Sequence, residues 1–158
     1  MKEILLGQYQ LVRGARGTLF TYCATTGSDF IKPVPIFNNN SIHDLLVHTA
    51  NTYISWLDNF GLDGSRIFYG NEEVQTLDQV KTIMDEVDLI VNDFLEKYSD
   101  DYQSTIKKYI ARKGLTLTLS PLQLFTHVIT HEFHHKGQIL TMSRLLEYTP
   151  VDTDIIRF

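Results

Sequence analysis

Histidine is scarce in this chain, six in 158 residues, yet four of the six fall within FTHVITHEFHHKGQIL as His127, His131, His134 and His135. Side chains four residues apart on a helix stand one turn above another on the same face. His131 and His135 have that spacing, so their rings can grip one ion between them, and neutral imidazole suits zinc, nickel, copper or iron. Leu124, His127, His131, His135, Gln138, Met142 and Leu145 succeed one another at steps of three and four. Three imidazoles thus share a stripe with aliphatic residues that must face a core. Stacked there, they are costly unless a network or an ion satisfies them.

Two ligands do not make a tight site, so a third must come from elsewhere. Only His43 and His48 remain. His43 falls in the first turn of a helix, where solvent exposure is expected. His48 lies mid-helix in LLVHTANTYISW, in line with Leu45, Thr52 and Ser55, and is the expected third ligand. His127, one turn before His131, either donates a hydrogen bond to a ligand or packs beside it.

HEFHH also matches the H-E-x-x-H of zinc proteases, in which the glutamate acts as general base toward a metal-bound water. The extended form of that motif needs glycine at 138 and histidine at 141, where this chain has Gln138 and Thr141. Of the acids left for a third ligand, Glu147, Asp152 and Asp154, the last two sit in a proline-containing tail. No convincing edge strand for a peptide substrate precedes the helix. The protease reading is set aside. Glu132 then reads as a solvated residue or a partner to a ligand, and His134 as lying off the metal stripe.

Helices must position these residues. Leu5, Tyr9, Val12, Leu19 and Cys23 trace the face of a first helix, with Arg16 on the same line and Gly7, Gly14 and Gly17 leaving room for a close neighbour. Ser41, with Asp44 in the first turn, opens a second helix that runs to about Phe60, where Gly61 and Gly64 stop it. Thr76 and Gln79 form a capping box for the third, whose stripe is Leu77, Val80, Met84, Val87, Val91, Phe94 and Tyr98. Residues 99–119 are ambiguous: KKYIARKGLTLTLS has a glycine followed by strict Leu/Thr alternation, which fits a short extended arm or hairpin. Ser120-Pro121 opens the last helix, to about Glu147. The expectation is an all-α chain, a four-helix bundle with an irregular or short extended insert before the last helix. With no linker or repeat, residues 1–158 read as a single domain.

LLVHTANTYISW together with HVITHEFHHKGQIL resembles the DinB-like (damage-inducible) superfamily of metal-binding four-helix bundles. That family carries a histidine in the middle of helix two and a late H-x-x-x-H followed by Arg or Lys, Gly and Gln. The counterparts are His48, His131, His135 and Lys136-Gly137-Gln138, and the tail YTPVDTDIIRF is similar as well. The resemblance implies that His48, His131 and His135 coordinate one divalent metal, zinc or nickel, with a coordination position left open. An open position marks a catalytic rather than a structural centre.

Characterised members use thiols such as bacillithiol, so the resemblance implies a metal-dependent thiol transferase acting on small electrophiles. A metal-dependent hydrolase of a small ester or amide is the alternative, and a non-enzymatic, stress-induced metal-binding or dimeric scaffold a third reading. The resemblance also suggests a homodimer. Cys23 is not expected to be a nucleophile, since a lone cysteine is usually a core residue.

Composition narrows the rest. Apolar residues are 43% and charged residues 21%, as in ordinary globular chains. A net charge of −5 offers no footprint for nucleic acid or an anionic membrane. One cysteine excludes an internal disulfide framework. With no signal peptide or membrane span in the sequence, the expected place is the cytoplasm and the expected partner a small-molecule substrate.

Overall fold

The computed structural model describes residues 1–157, and for Arg112 the backbone only, so Phe158 at the end of the tail lies outside the described residues. Four long helices dominate: α1 (Lys2–Cys23), α2 (Ile42–Tyr53), α3 (Leu77–Lys97) and α4 (Pro121–Leu145). Before the last helix the chain forms a small antiparallel hairpin, β1 (Ile106–Ile110) with β2 (Leu115–Leu119), pairing Ile106 with Leu119 and Ile110 with Leu115. The ambiguous segment is therefore a hairpin over 106–119, preceded by turns. Its turn closes on Gly114, whose φ of +63° is the left-handed conformation that only glycine takes at no steric cost.

The helix starts follow the capping chemistry. The Ser41 hydroxyl accepts from the Asp44 amide at 3.1 Å while the Asp44 carboxylate accepts from the Ser41 amide at 2.8 Å. Thr76 with Gln79, and Ser120 with Gln123, form the same reciprocal box, and Pro121 needs no amide partner at the first turn. Each box satisfies donors that a helix start otherwise leaves open.

The second helix ends between Gly61 and Gly64, close to the expected Phe60, but its last turns are not α-helical. From Ile54 to Leu62 it continues as π-helical turns, closed by Asp63 in the left-handed conformation at φ 62°. Gly61 is required there because the Phe94 ring lies against it: a Cβ would come within 2.9 Å of Phe94 Cδ2 and nearer still to Cε2. On α1, by contrast, Gly7 and Gly17 face open space and Gly14 meets only the Arg157 guanidinium at 3.8 Å. The close neighbour expected at those glycines is not supplied by this chain.

Helix α2 packs on both α3 and α4, and α1 on α3 and α4, around one apolar cluster. Leu5, Tyr9, Val12 and Leu19 share this cluster with Val80, Met84, Val87 and Phe94, and Leu45, Leu46, Leu57, Phe125, Val128 and Ile139 belong to it as well. Each such aliphatic or aromatic side chain contributes about 1.5–3 kcal/mol on leaving water. Among the described residues, no helix is long and apolar enough to cross a membrane.

Candidate metal centre

His48 reaches the site from α2, and His131 and His135 from α4. Each of the three offers a ring nitrogen, and these atoms all lie within 4.8 Å of one another. The ring centroids stand 5.1 Å apart for His48 and His131, 4.8 Å for His48 and His135, and 4.4 Å for His131 and His135. The expected trio therefore converges, and the contact between α2 and α4 is what brings it together.

The donor set fits a divalent ion. Burial, then the neighbouring histidines, pushes the His131 imidazole down to about 4, so it is neutral at pH 7. Burial lowers His48 and His135 in the same direction. Gln138 fixes His135 from behind, with Nδ1 and the amide oxygen 2.6 Å apart. With its proton on Nδ1, His135 turns the Nε2 lone pair toward His131, whose own Nε2 is 3.2 Å away. Zinc–nitrogen bonds of about 2.0–2.1 Å in a tetrahedral site would hold two ligand nitrogens roughly 3.3–3.4 Å apart. His131 Nδ1 is buried without a partner. If His131 keeps its proton on that nitrogen, two lone pairs face each other, which a cation between them relieves.

The other histidines are elsewhere. His127 is exposed, its ring 5.2 Å from Trp56 and 5.6 Å from His131, so it packs beside the site rather than in it. His134 is exposed on the outer face. His43, expected at the surface, is instead 4% exposed. Its Nε2 bonds the Val74 carbonyl, and its ring meets Phe30 edge-on. The loop before α3 folds back over that first turn and takes it out of solvent.

Glu132 is the larger surprise. It is 4% exposed and points into the core, neither solvated nor bonded to a ligand histidine, the two positions expected of it. Arg16 holds it with two bonds, Nε to Oε1 at 3.0 Å and Nη2 to Oε2 at 2.9 Å, and the Tyr53 hydroxyl donates to Oε2 at 2.7 Å. Arg16 also reaches Asp88 Oδ1 at 2.9 Å, and Tyr9 donates to the same oxygen at 2.6 Å. Arg13 adds an ion pair to Asp88 at 2.7 Å. Each long helix contributes to this balanced cluster. A carboxylate engaged in this way cannot serve as the base of a peptidase, which removes the remaining support for the HEFHH reading.

The signal for the cluster was in the sequence. Arg16 and Glu132 are charged residues on the apolar lines of their helices: Phe125, Val128, Glu132, Lys136 and Ile139 are the buried line of α4. Lys136 is 2% exposed with no hydrogen-bond partner for Nζ, which sits 3.7 Å from the centre of the Phe133 ring. Burial pushes this amine down to about 8.

Two clefts open on the histidines. One, of about 530 Å³, lies between α2 with its π-helical end and the hairpin, and includes His48, His131, Trp56, Phe60, Ile110 and Leu117. The other, of about 630 Å³, is lined mostly by polar groups, among them Asn38, Asn40, Asn71, Gln138 and His135. His48 and Asn51 border both. Asn51 is fixed by two 2.9 Å bonds to the Tyr69 backbone, one from its amide and one to its carbonyl. Cys23 is buried off the site, its thiol pushed up to about 12 by burial.

A Bacillus subtilis (strain 168) protein, the uncharacterized YizA, is 24% identical over 148 residues, covering 89% of this chain and 87% of that protein. The model of the DinB family matches residues 1–158, and with that match over its whole length the chain belongs to the DinB family.

Proposed function

We propose that this chain is a single-domain, four-helix-bundle DinB protein that holds one zinc or nickel ion through His48, His131 and His135. We further propose that it transfers a low-molecular-weight thiol to small electrophiles. The observation that carries this reading is the convergence of three ring nitrogens, all within 4.8 Å of one another, at the border of two clefts. A divalent ion bound there supplies Lewis acidity, which lowers the pKa of a thiol.

The chain's own residues do the rest. Gln138 orients His135, and Asn51, held by the Tyr69 backbone, borders both clefts. The carboxamides of Asn38, Asn40 and Asn71 offer donors and acceptors to a hydrophilic thiol such as bacillithiol, while Trp56, Phe60 and Leu117 exclude water around an apolar electrophile. In the reaction the thiol sulfur bonds to the electrophilic carbon, the carbon–halide bond breaks, and the thiol proton leaves with the halide. Cys23 takes no part, since burial holds its thiol protonated and off the site.

The exposed face of α1, with Ile4, Leu11 and the unfilled Gly7 and Gly17, supports a homodimer. Sedimentation decides that point separately.

The test is turnover. Protein stripped of metal and reloaded with zinc or nickel is expected to consume bacillithiol and a chloronitroaromatic in equal amounts and release chloride. Stripped protein should not. A loaded protein that leaves both reagents untouched overturns the transferase reading.

A further inference from the structure

The two clefts differ in more than polarity. Among the described residues that border the polar one there is no lysine or arginine, whereas Lys108 and Lys113 both border the one beside the hairpin. Lys108 is already engaged: Nζ donates to the Asn59 carbonyl at 2.5 Å and to Asp63 at 2.6 Å, pinning β1 to the end of the π-helical segment. Lys113, in the hairpin turn, has no ion-pair partner among the described residues. A cation without an ion-pair partner among the described residues thus stands on one wall of a cleft whose apolar surfaces are Trp56, Phe60, Phe68, Ile110 and Leu117, beside the polar Thr52, Ser55 and Asn59, in a chain whose net charge is −5.

Volume and lining suit a small molecule: ligand clefts of about 300–1,000 Å³ are typical, mostly apolar with a few placed polar groups. The walls are of two kinds. Helix α2 and α4 supply the histidines, and the hairpin supplies the lysine. A ligand that satisfies both walls has a nucleophilic or electrophilic end at the histidines, an aliphatic or aromatic body along the apolar side chains, and an anionic end for Lys113.

We infer that the hairpin-side cleft is the binding compartment for an amphipathic carboxylate, with Lys113 as the residue that selects the anion and the Trp56–Leu117 wall as the one that selects the apolar body. This rests on the reading of His48, His131 and His135 as a metal centre, and it assigns the substrate class to one side of that centre. The hairpin is then the specificity element. The four helices build the histidine trio without it.

Mercaptans of matched length separate the two levels. Metal content is measured first. Cobalt-loaded protein is then titrated with 6-mercaptohexanoate and with 6-mercaptohexan-1-ol, following the thiolate-to-cobalt absorption. The acid is expected to bind about threefold tighter than the alcohol, the scale of an exposed ion pair, with the advantage fading as salt rises. Lys113→Glu should abolish or invert the preference while leaving metal content and melting temperature unchanged. Leu117→Asp should weaken both ligands. Equal affinity for acid and alcohol in metal-loaded wild type, or a preference that survives Lys113→Glu, overturns the inference while the metal centre stands. Failure of the protein to take up cobalt, zinc or nickel overturns the metal reading instead.

Discussion

Glu132 and His131 are neighbours in the chain and face different ways, one into a buried ion cluster and the other toward the hairpin-side cleft. Their substitutions should therefore separate. His48→Ala, His131→Ala and His135→Ala are each expected to lose most metal affinity with the fold intact, measured as metal per chain after dialysis. His134→Ala should keep the metal, and His43→Ala should keep it while losing stability, because it breaks the link to Val74 and leaves a gap beside Phe30. Glu132→Ala removes one partner of a buried, bidentate pair and leaves the Arg16 guanidinium with Asp88 as its carboxylate and the Tyr9 hydroxyl as its other partner. Breaking such a pair costs about 3–5 kcal/mol. A urea midpoint unchanged in Glu132→Ala, alongside lost turnover, would mean that Glu132 acts in chemistry and not in holding the helices. Sequence periodicity located Arg16 on a buried line, but which carboxylate it meets is a contact between residues 116 apart, and no local pattern carries it.

At the scale of elements, the legible parts were those whose signals are local. The Ser41, Thr76 and Ser120 caps stand within three residues of their partners, so sequence alone placed those starts. The Leu/Thr alternation of 115–119 announced one strand of the hairpin. Its partner, IKKYI, has two adjacent lysines and no such regularity, and only pairing with β2 makes it a strand. The π-helical end of α2 had no signal: ISWLDNFGL keeps the helical hydrophobicity, and the widened turns follow from tertiary demands. One is the Phe94 ring against Gly61. Gly64, just past the end of the segment, is constrained locally: a Cβ there would come within 2.9 Å of Asp58 Oδ1. Gly61→Ala forces a methyl into that ring and is expected to cost about 1–3 kcal/mol, the range for overpacking a filled core. Because Trp56, Asn59 and Phe60 of the same segment line the hairpin-side cleft, the variant should also weaken ligand binding there. Wild-type stability in Gly61→Ala would show that the ring moves freely aside.

For the whole molecule, an ion held by α2 and α4 joins segments more than eighty residues apart in sequence and far apart in the unfolded chain. Unfolding scatters His48 from His131 and His135, so on the proposed reading a metal is expected to favour the native state by mass action, by about 3–4 kcal/mol at a hundred- to thousandfold excess over the dissociation constant. Protons compete for the same nitrogens. In the unfolded chain the histidines protonate near the ordinary 6.5, whereas in the fold burial and mutual repulsion hold His131 down to about 4. Between those values the unfolded state binds more protons than the native one, so stability falls as pH falls through that window and is fully present above it. Metal adds to the loss in the same direction, because the imidazoles must be neutral to bind it. The melting temperature is therefore expected to drop on chelation at pH 7.5, to drop less with each step below 6.5, and to be indifferent to chelator near pH 4. The depressed His131 places the end of this fade lower than a solvent-exposed histidine pair would. A chelator effect that has vanished by pH 6, or none at pH 7.5 in protein shown to hold metal, would count against the three-histidine link between α2 and α4.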